Sequence, residues 1–414
     1  MTISTRSLLC ASVAVAPWLI CSPAIAAAAA VSSPTELEEV IVTAQKRSEN
    51  LQDVPASISA LSGAMLQERG ITTATDLQFV VPSMQAGRLL GQTAITIRGV
   101  GLNQGSPGVA IHVDGVFQPR PSMGDLTQID IARVEVLRGP QGTLYGRNAN
   151  GGVVNYITQA PTDKLEGYVL GSYATYNESR LQGVVNVPFG DRLRTRLVLD
   201  SWDREDGFVK NVLPHGQDVD RGKTQSARLR INADITQDLS LDIGLTALHG
   251  SGPTSYFTLY NKPTAEAVAK NPYLANAIVP LQPRRISAND PIADQRNFGS
   301  ASATLTWNAG PVQVKSISGY ARLVDHELRD DDSINVRAFP SERAARSRTF
   351  TQELNVSGKL GRLDAVVGAF YMRDVSYDRL HYDFTLGIFP LPPGSQLDFE
   401  SIFFKRCICG RIGS

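Results

Sequence analysis

Period-two alternation governs the second half of the chain and limits what it can fold into. Leu193, Thr195, Leu197 and Leu199 alternate with Arg192, Arg194, Arg196 and Asp200. Ala227, Leu229, Ile231, Ala233 and Ile235 alternate with Arg228, Arg230, Asn232 and Asp234. Leu239, Leu241, Ile243 and Leu245 alternate with Ser240, Asp242, Gly244 and Thr246. This period places one set on each face of a β-strand. Weaker segments of the same kind lie at 167–174, 181–187, 301–307, 312–321, 350–357 and 364–371. The three stronger segments, 192–202, 226–235 and 239–247, span 9–11 residues, the length a tilted strand needs to cross a bilayer. A soluble sandwich would bury the apolar face; a membrane barrel would turn it to lipid and the charged face to a wet lumen. The alternation fits both. The connections favour the barrel, because 188–191 and 236–238 are short whereas 207–223 and 250–297 are long and polar. Short turns at one end and long loops at the other are the outer-membrane arrangement.

The N-terminus agrees with export. Arg6 precedes an uncharged run from residue 8 to 20, and small residues end in Ala24-Ile25-Ala26. A basic start, a short apolar core and an A-x-A site read as a signal peptide over 1–26. A membrane anchor would need about 20 apolar residues. Beyond the signal only Cys407 and Cys409 remain, so no disulfide framework is expected. Lys plus Arg equals Asp plus Glu at 40 each, and this balance gives no bulk field for nucleic acid.

Residues 27–50 form a polar linker with one β-prone burst, Val40-Ile41-Val42-Thr43-Ala44, after Glu36, Glu38 and Glu39. Such a burst can join a partner's sheet edge or begin the next domain. Residues 51–163 form a compact mixed α/β unit. Ser62 to Arg69 suits a short helix ending at Gly70, and Thr75-Asp76-Leu77 begins a turn of helix that stops before Pro82. Residues 93–97 and 109–113 alternate, and Asp114-Gly115 is a hairpin signal. Between the apolar runs 134–137 and 153–157, glycines stand at 139, 142, 146, 151 and 152, with Arg138 and Arg147 among them. This marks a tightly folded connector, either a phosphate cradle or a domain packed inside a barrel.

The chemistry-bearing readings fail. Gly99-x-Gly101 continues to Gly105 without dinucleotide-binding spacing, and Gly139-Pro-Gln-Gly142 lacks the Gly-Lys-Ser/Thr of a P-loop. His112-x-Asp114 would need a second histidine to hold iron, and the turn explains Asp114 better. Asp330-Asp331-Asp332 reads as solvated loop. No catalytic residue, metal set or cofactor is expected. Arg98 and Arg138 each follow a strand and precede glycine. Inside a barrel they would need carboxylate partners. Glu353 is the candidate, set against the alternative of an unrelated lumen acid.

The residues together resemble a TonB-dependent outer-membrane receptor. Glu38-Glu39-Val40-Ile41-Val42-Thr43-Ala44 is similar to the TonB box. Ile97-Arg98-Gly99, Val113-Asp114-Gly115-Val116 and Val136-Leu137-Arg138-Gly139-Pro140-Gln141-Gly142-Thr143-Leu144-Tyr145-Gly146 resemble plug signatures. Phe350-Thr351-Gln352-Glu353-Leu354 resembles a barrel-strand signature. The resemblance implies a mixed α/β plug over 51–163 inside an antiparallel barrel of about 22 strands. It implies outer-membrane lipid around the barrel and energy from the inner-membrane TonB complex through the box. It also implies an extracellular ligand, most often a ferric siderophore. In this family plug arginines pair with barrel glutamates, which carries onto Arg98, Arg138 and Glu353. Apical candidates for ligand contact are Met84, Gln85, Arg88, Asn103 and Gln104, with Tyr256, Phe257 and Tyr260 in an outer loop. Only about a dozen residues separate the cleavage site from the box, leaving no room for a periplasmic signalling domain.

One departure stands out. About nine or ten strands follow residue 164, against about 22 in the family. Residues 164–400 then form a partial barrel, and 401–414 an atypical tail without alternation. The expectation is a truncated or frameshifted receptor, with a smaller closed barrel as the alternative. Function is expected to be active uptake of a scarce ligand. Alternatives are a receptor for vitamin B12, an oligosaccharide or an aromatic compound, or an exported fragment that does not transport.

Overall fold

A computed structural model describes residues 41–43, 46, 49–50, 52, 54, 56–89, 92–101, 107–120, 123, 129–253, 261–337, 339–361, 363–384 and 395–413. Two short strands, β1 (Ile41–Val42) and β2 (Glu49–Asn50), pair with each other. The inner unit follows with β3 (Ile58–Ser62), β4 (Met84–Leu89), β5 (Gln92–Ile97), β6 (Val109–Val113), β7 (Val116–Gln118), β8 (Ile131–Arg138) and β9 (Gly152–Thr158). Its sheet order is β3-β8-β9-β6-β7, with β6 parallel to β9, while β4 and β5 form a separate hairpin.

Local chemistry explains these elements. The helix Gly63–Glu68 starts where the Ser62 hydroxyl accepts from the Met65 amide at 3.2 Å, and Gly70 follows it at φ 65°. Asp114 (φ 47°) and Gly115 (φ 81°) make the tight turn between β6 and β7, as an Asp-Gly pair predicts. Alternate residues feed two cores. Ile111, Val134, Val136, Val154 and Tyr156 pack on one side of the sheet with Leu61, Leu66 and Leu77. Ala110, Leu137 and Val153 pack on the other with Val42, Phe117 and Tyr145. Burial of both faces is why these strands read as continuous apolar runs.

The wall is a ten-stranded antiparallel meander. Its strands are β10 (Glu166–Ala174), β11 (Glu178–Phe189), β12 (Leu193–Arg204), β14 (Gly222–Asp234), β15 (Leu239–Ser251), β17 (Ala293–Ala309), β18 (Val312–Asp330), β19 (Pro340–Leu360), β20 (Leu363–Phe384) and β21 (Ser395–Gly413). Two short loop strands, β13 (Lys210–Asn211) and β16 (Arg285–Ile286), pair in parallel. Gly190, Gly310 and Gly361 occupy positive φ at short turns on one edge. Long connections, with the helix Ala265–Lys270, lie on the other. The mixed α/β plug and antiparallel wall are as expected.

Two expectations change in detail. Later strands exceed a bilayer crossing: β19 has 21 residues and β20 has 22. Their far ends pair beyond any apolar band. The segment 401–414 also does not stand apart. Its backbone extends β21 along β20 as far as Gly413, because ladder pairing needs no side-chain alternation. Among the described residues no helix is long and apolar enough to cross a membrane.

Candidate functional site

The segment leading into the plug is held at both ends. Val42 is fully buried in the second core. Beside it, the Thr43 amide donates to Glu135 Oε1 at 2.9 Å and the Thr43 hydroxyl to Oε2 at 2.8 Å. Tyr145 Oη donates to the Thr43 carbonyl at 3.1 Å. Glu135 has no exposure, and Arg133 Nε (2.8 Å) and Asn155 Nδ2 (3.3 Å) also donate to it. A buried carboxylate is tolerated only when donors surround it like this. Three residues on, Lys46 lies 4.6 Å above the Tyr145 ring and 3.1 Å from Glu353 Oε1 on the wall. Of the expected box, Ile41, Val42 and Thr43 lie here, whereas Glu38, Glu39, Val40 and Ala44 fall outside the described residues.

The expected pairing of Arg98 and Arg138 with Glu353 is corrected. Glu353 is buried on β19, where Lys46 and Asn355 Nδ2 (2.8 Å) meet its carboxylate. Arg98 turns outward at φ 52° after β5 and is exposed, with Nη1 3.3 Å from where a Cβ on Gly139 would lie. The backbone amide of Arg138 donates to the Ser57 carbonyl, and its buried Nε has no hydrogen-bond partner among the described residues. The lead segment occupies the place the arginines were expected to take.

The plug is instead held mainly by arginines of the wall. Arg196 of β12 grips Asp130 with two bonds, at 2.7 and 2.8 Å. Arg230 of β14 donates to the Thr158 carbonyl (3.0 Å) and hydroxyl (2.9 Å), and its neighbour Arg228 donates to the Ile129 carbonyl. One plug arginine, Arg120, lies 3.6 Å from Asp378 of the wall. Apolar contacts flank these bonds. Met123 packs with Leu248, Phe298, Ala321 and Leu323, and Ile129 with Val184 and Val198. The alternating arginines signalled an inward charged face; nothing in the sequence named their partners.

Other candidates are redistributed. Met84 is corrected: it is 4% exposed and belongs to the plug core, so it presents no surface to a ligand. Gln85 is exposed on β4, the strand that also carries Arg88, whose side chain lies outside the description. Asn103, Gln104, Tyr256, Phe257 and Tyr260 lie outside the described residues. The Asp114 carboxylate is taken by the Thr158 amide (2.9 Å) and hydroxyl (2.8 Å), while His112 is buried against Phe117 and Tyr145. Asp330 is not solvated loop. It is buried because its carboxylate organises the chain ends around it, accepting from the Asn289, Asp290 and Ser333 amides. Asp294, Asp325 and Glu327 also converge, unforeseen, around Arg296, which already supplies the cation.

The profile of the TonB-dependent Receptor Plug Domain matches residues 50–153. The pesticin receptor of Yersinia pestis is 32% identical over 221 residues, covering 51% of this chain and 32% of the relative. The iron-regulated outer membrane virulence protein of Vibrio cholerae is 31% identical over 229 residues, covering 51% and 34%. The chain thus spans about a third of the length of these relatives. Among solved structures, the ferric yersiniabactin uptake receptor FyuA from Yersinia pestis superposes with a TM-score of 0.67 at 18% identity, covering 86% of this chain and 61% of that one. These relatives are receptors rather than enzymes, and this chain carries a TonB-dependent receptor plug domain over 50–153, followed by an antiparallel wall similar in fold to that of FyuA.

Proposed function

We propose that the chain acts in TonB-dependent uptake of a scarce ligand across the outer membrane, with a ferric siderophore as the cargo. The observation that carries this reading is the lead segment, a short β-prone strand seated on the plug through Thr43 and Glu135. An outer membrane holds no ion gradient, so a transporter there must receive work mechanically. Residues 38–44, once released, would pair as an added strand with the periplasmic domain of TonB. A pull on Thr43 reaches Glu135 at the middle of β8, while Arg196, Arg228 and Arg230 hold the far edge of the plug to the wall. Force is thereby directed into the plug sheet. The iron cargo is supported by the fold shared with FyuA, a ferric yersiniabactin uptake receptor. Growth of a receptor-deficient host carrying the full chain tests the cargo. Growth on single ferric siderophores supports it. Growth only on cyanocobalamin, or on none of the sources, contradicts it.

A further inference from the structure

Among the described residues, four arginines of the wall's outward face have no carboxylate partner. Plug contacts define the faces, since Glu353 meets Lys46 and Gly319 meets Val116 on the inner side. Arg322, Arg346, Arg348 and Arg373 alternate with inward residues and are exposed. Arg322 of β18 stands directly opposite Arg348 of β19. Arg373 of β20 stands opposite Phe350, one diagonal step from Arg348. Like charges directly opposite one another destabilise a strand pair. None of the four has an ion pair or hydrogen bond among the described residues, and the outward acid Glu342 is taken by His326 at 2.7 Å.

Their height is informative. β18 begins at Val312 and β20 at Leu363, each after a short turn. Arg322 and Arg373 come about ten residues later. At roughly 3.3 Å per residue and a tilt of about 40°, that is about 25 Å, the height of the apolar band. Tyr320 (44% exposed) and Phe350 (41%) lie one outward step below Arg322 and Arg348. Phe350 and Tyr371 bring their rings to 6.4 Å. Aromatic girdles mark the edge of the band, so the arginines stand at headgroup level. One outward row also runs Leu199, Ala227, Ala247, Gly299, Arg322, Arg348 across six neighbouring strands. Its small residues hollow the face into a groove of about 1060 Å³ whose lining includes Arg322.

We infer that this face binds a phosphorylated lipid of the outer leaflet, its phosphate on Arg322, Arg348 and Arg373 and an acyl chain along the groove. Guanidinium forks bind phosphate oxygens in pairs, which relieves the opposed charges of Arg322 and Arg348. A free anion would satisfy the arginines and leave the groove empty. The inference rests on the wall lying in the outer membrane and is independent of cargo.

The test uses the full chain in phosphatidylcholine nanodiscs doped with bisphosphorylated or dephosphorylated lipid A, with bound lipid counted by native mass spectrometry. At least tenfold preference for the phosphorylated form is expected. Arg322→Gln with Arg348→Gln abolishes it, and Arg322→Lys with Arg348→Lys keeps most of it. Gly299→Leu, which fills the groove, weakens lipid binding without touching a charge. Equal retention by the glutamine pair overturns the inference, as does displacement of the lipid by millimolar inorganic phosphate. Iron uptake that fails while the lipid preference persists counts against the transport reading alone.

Discussion

Thr43→Val removes one hydroxyl from the lead segment and keeps its shape. The main lost bond is the 2.8 Å contact with Glu135 Oε2, a charge-assisted hydrogen bond inside a buried network; the hydroxyl also accepts from Asn155 Nδ2 at 3.3 Å, a donor that keeps Glu135 Oε2 as its partner. Such bonds contribute about 2 kcal/mol. The amide bond to Oε1, the seat of Val42 and the Lys46–Glu353 pair stay in place, so the segment should dock, but less firmly. About 2 kcal/mol corresponds to roughly a 30-fold rise in the undocked fraction. Cysteine placed at position 42, fully buried when docked, reports that fraction through its maleimide labelling rate under native conditions. The Thr43→Val background should label about 30-fold faster than the Thr43 background. A change under threefold would refute the reasoning, because Glu135 would then not be what holds the segment.

Two plug–wall contacts and one turn within the plug give three more expectations. Arg196→Ala leaves the buried Asp130 carboxylate without its bidentate partner, so urea unfolding should show a loss of about 3 kcal/mol, with a smaller loss when Asp130→Asn accompanies it. Gly319→Ala puts a Cβ 2.4 Å from Val116 Cγ1 and 2.7 Å from Thr351 Oγ1, and the overpacking should cost about 1–3 kcal/mol in the same assay, recovered in part by Val116→Ala. Asp114→Ala loses both bonds to Thr158 in a residue at positive φ, whereas Asp114→Asn tolerates the φ and keeps part of the bonding; a melting-temperature series should rank them in that order.

The sequence carried the strands, the helix over 63–68 and the Asp114-Gly115 turn, because each has a local cause: alternation, a capping serine, a pair that accepts positive φ. Inward and outward faces were also legible from Arg194, Arg196, Arg228 and Arg230. Which charges meet was not. Glu353 and Lys46 are 307 residues apart, and no periodicity selects that pair over Glu353 with Arg98 or Arg138. Met84 was expected at an apex, yet β4 turns it into the plug core. Asp330 looked solvated beside two other acids; two of its backbone-amide partners lie about forty residues distant.

The most direct test of the account is accumulation of radiolabelled iron from a ferric siderophore that supports growth. It is measured in cells carrying the full chain as their sole iron receptor, with TonB present or deleted. The account predicts energy-dependent accumulation with TonB and none without it. Equal accumulation in the two strains would contradict the role assigned to the lead segment.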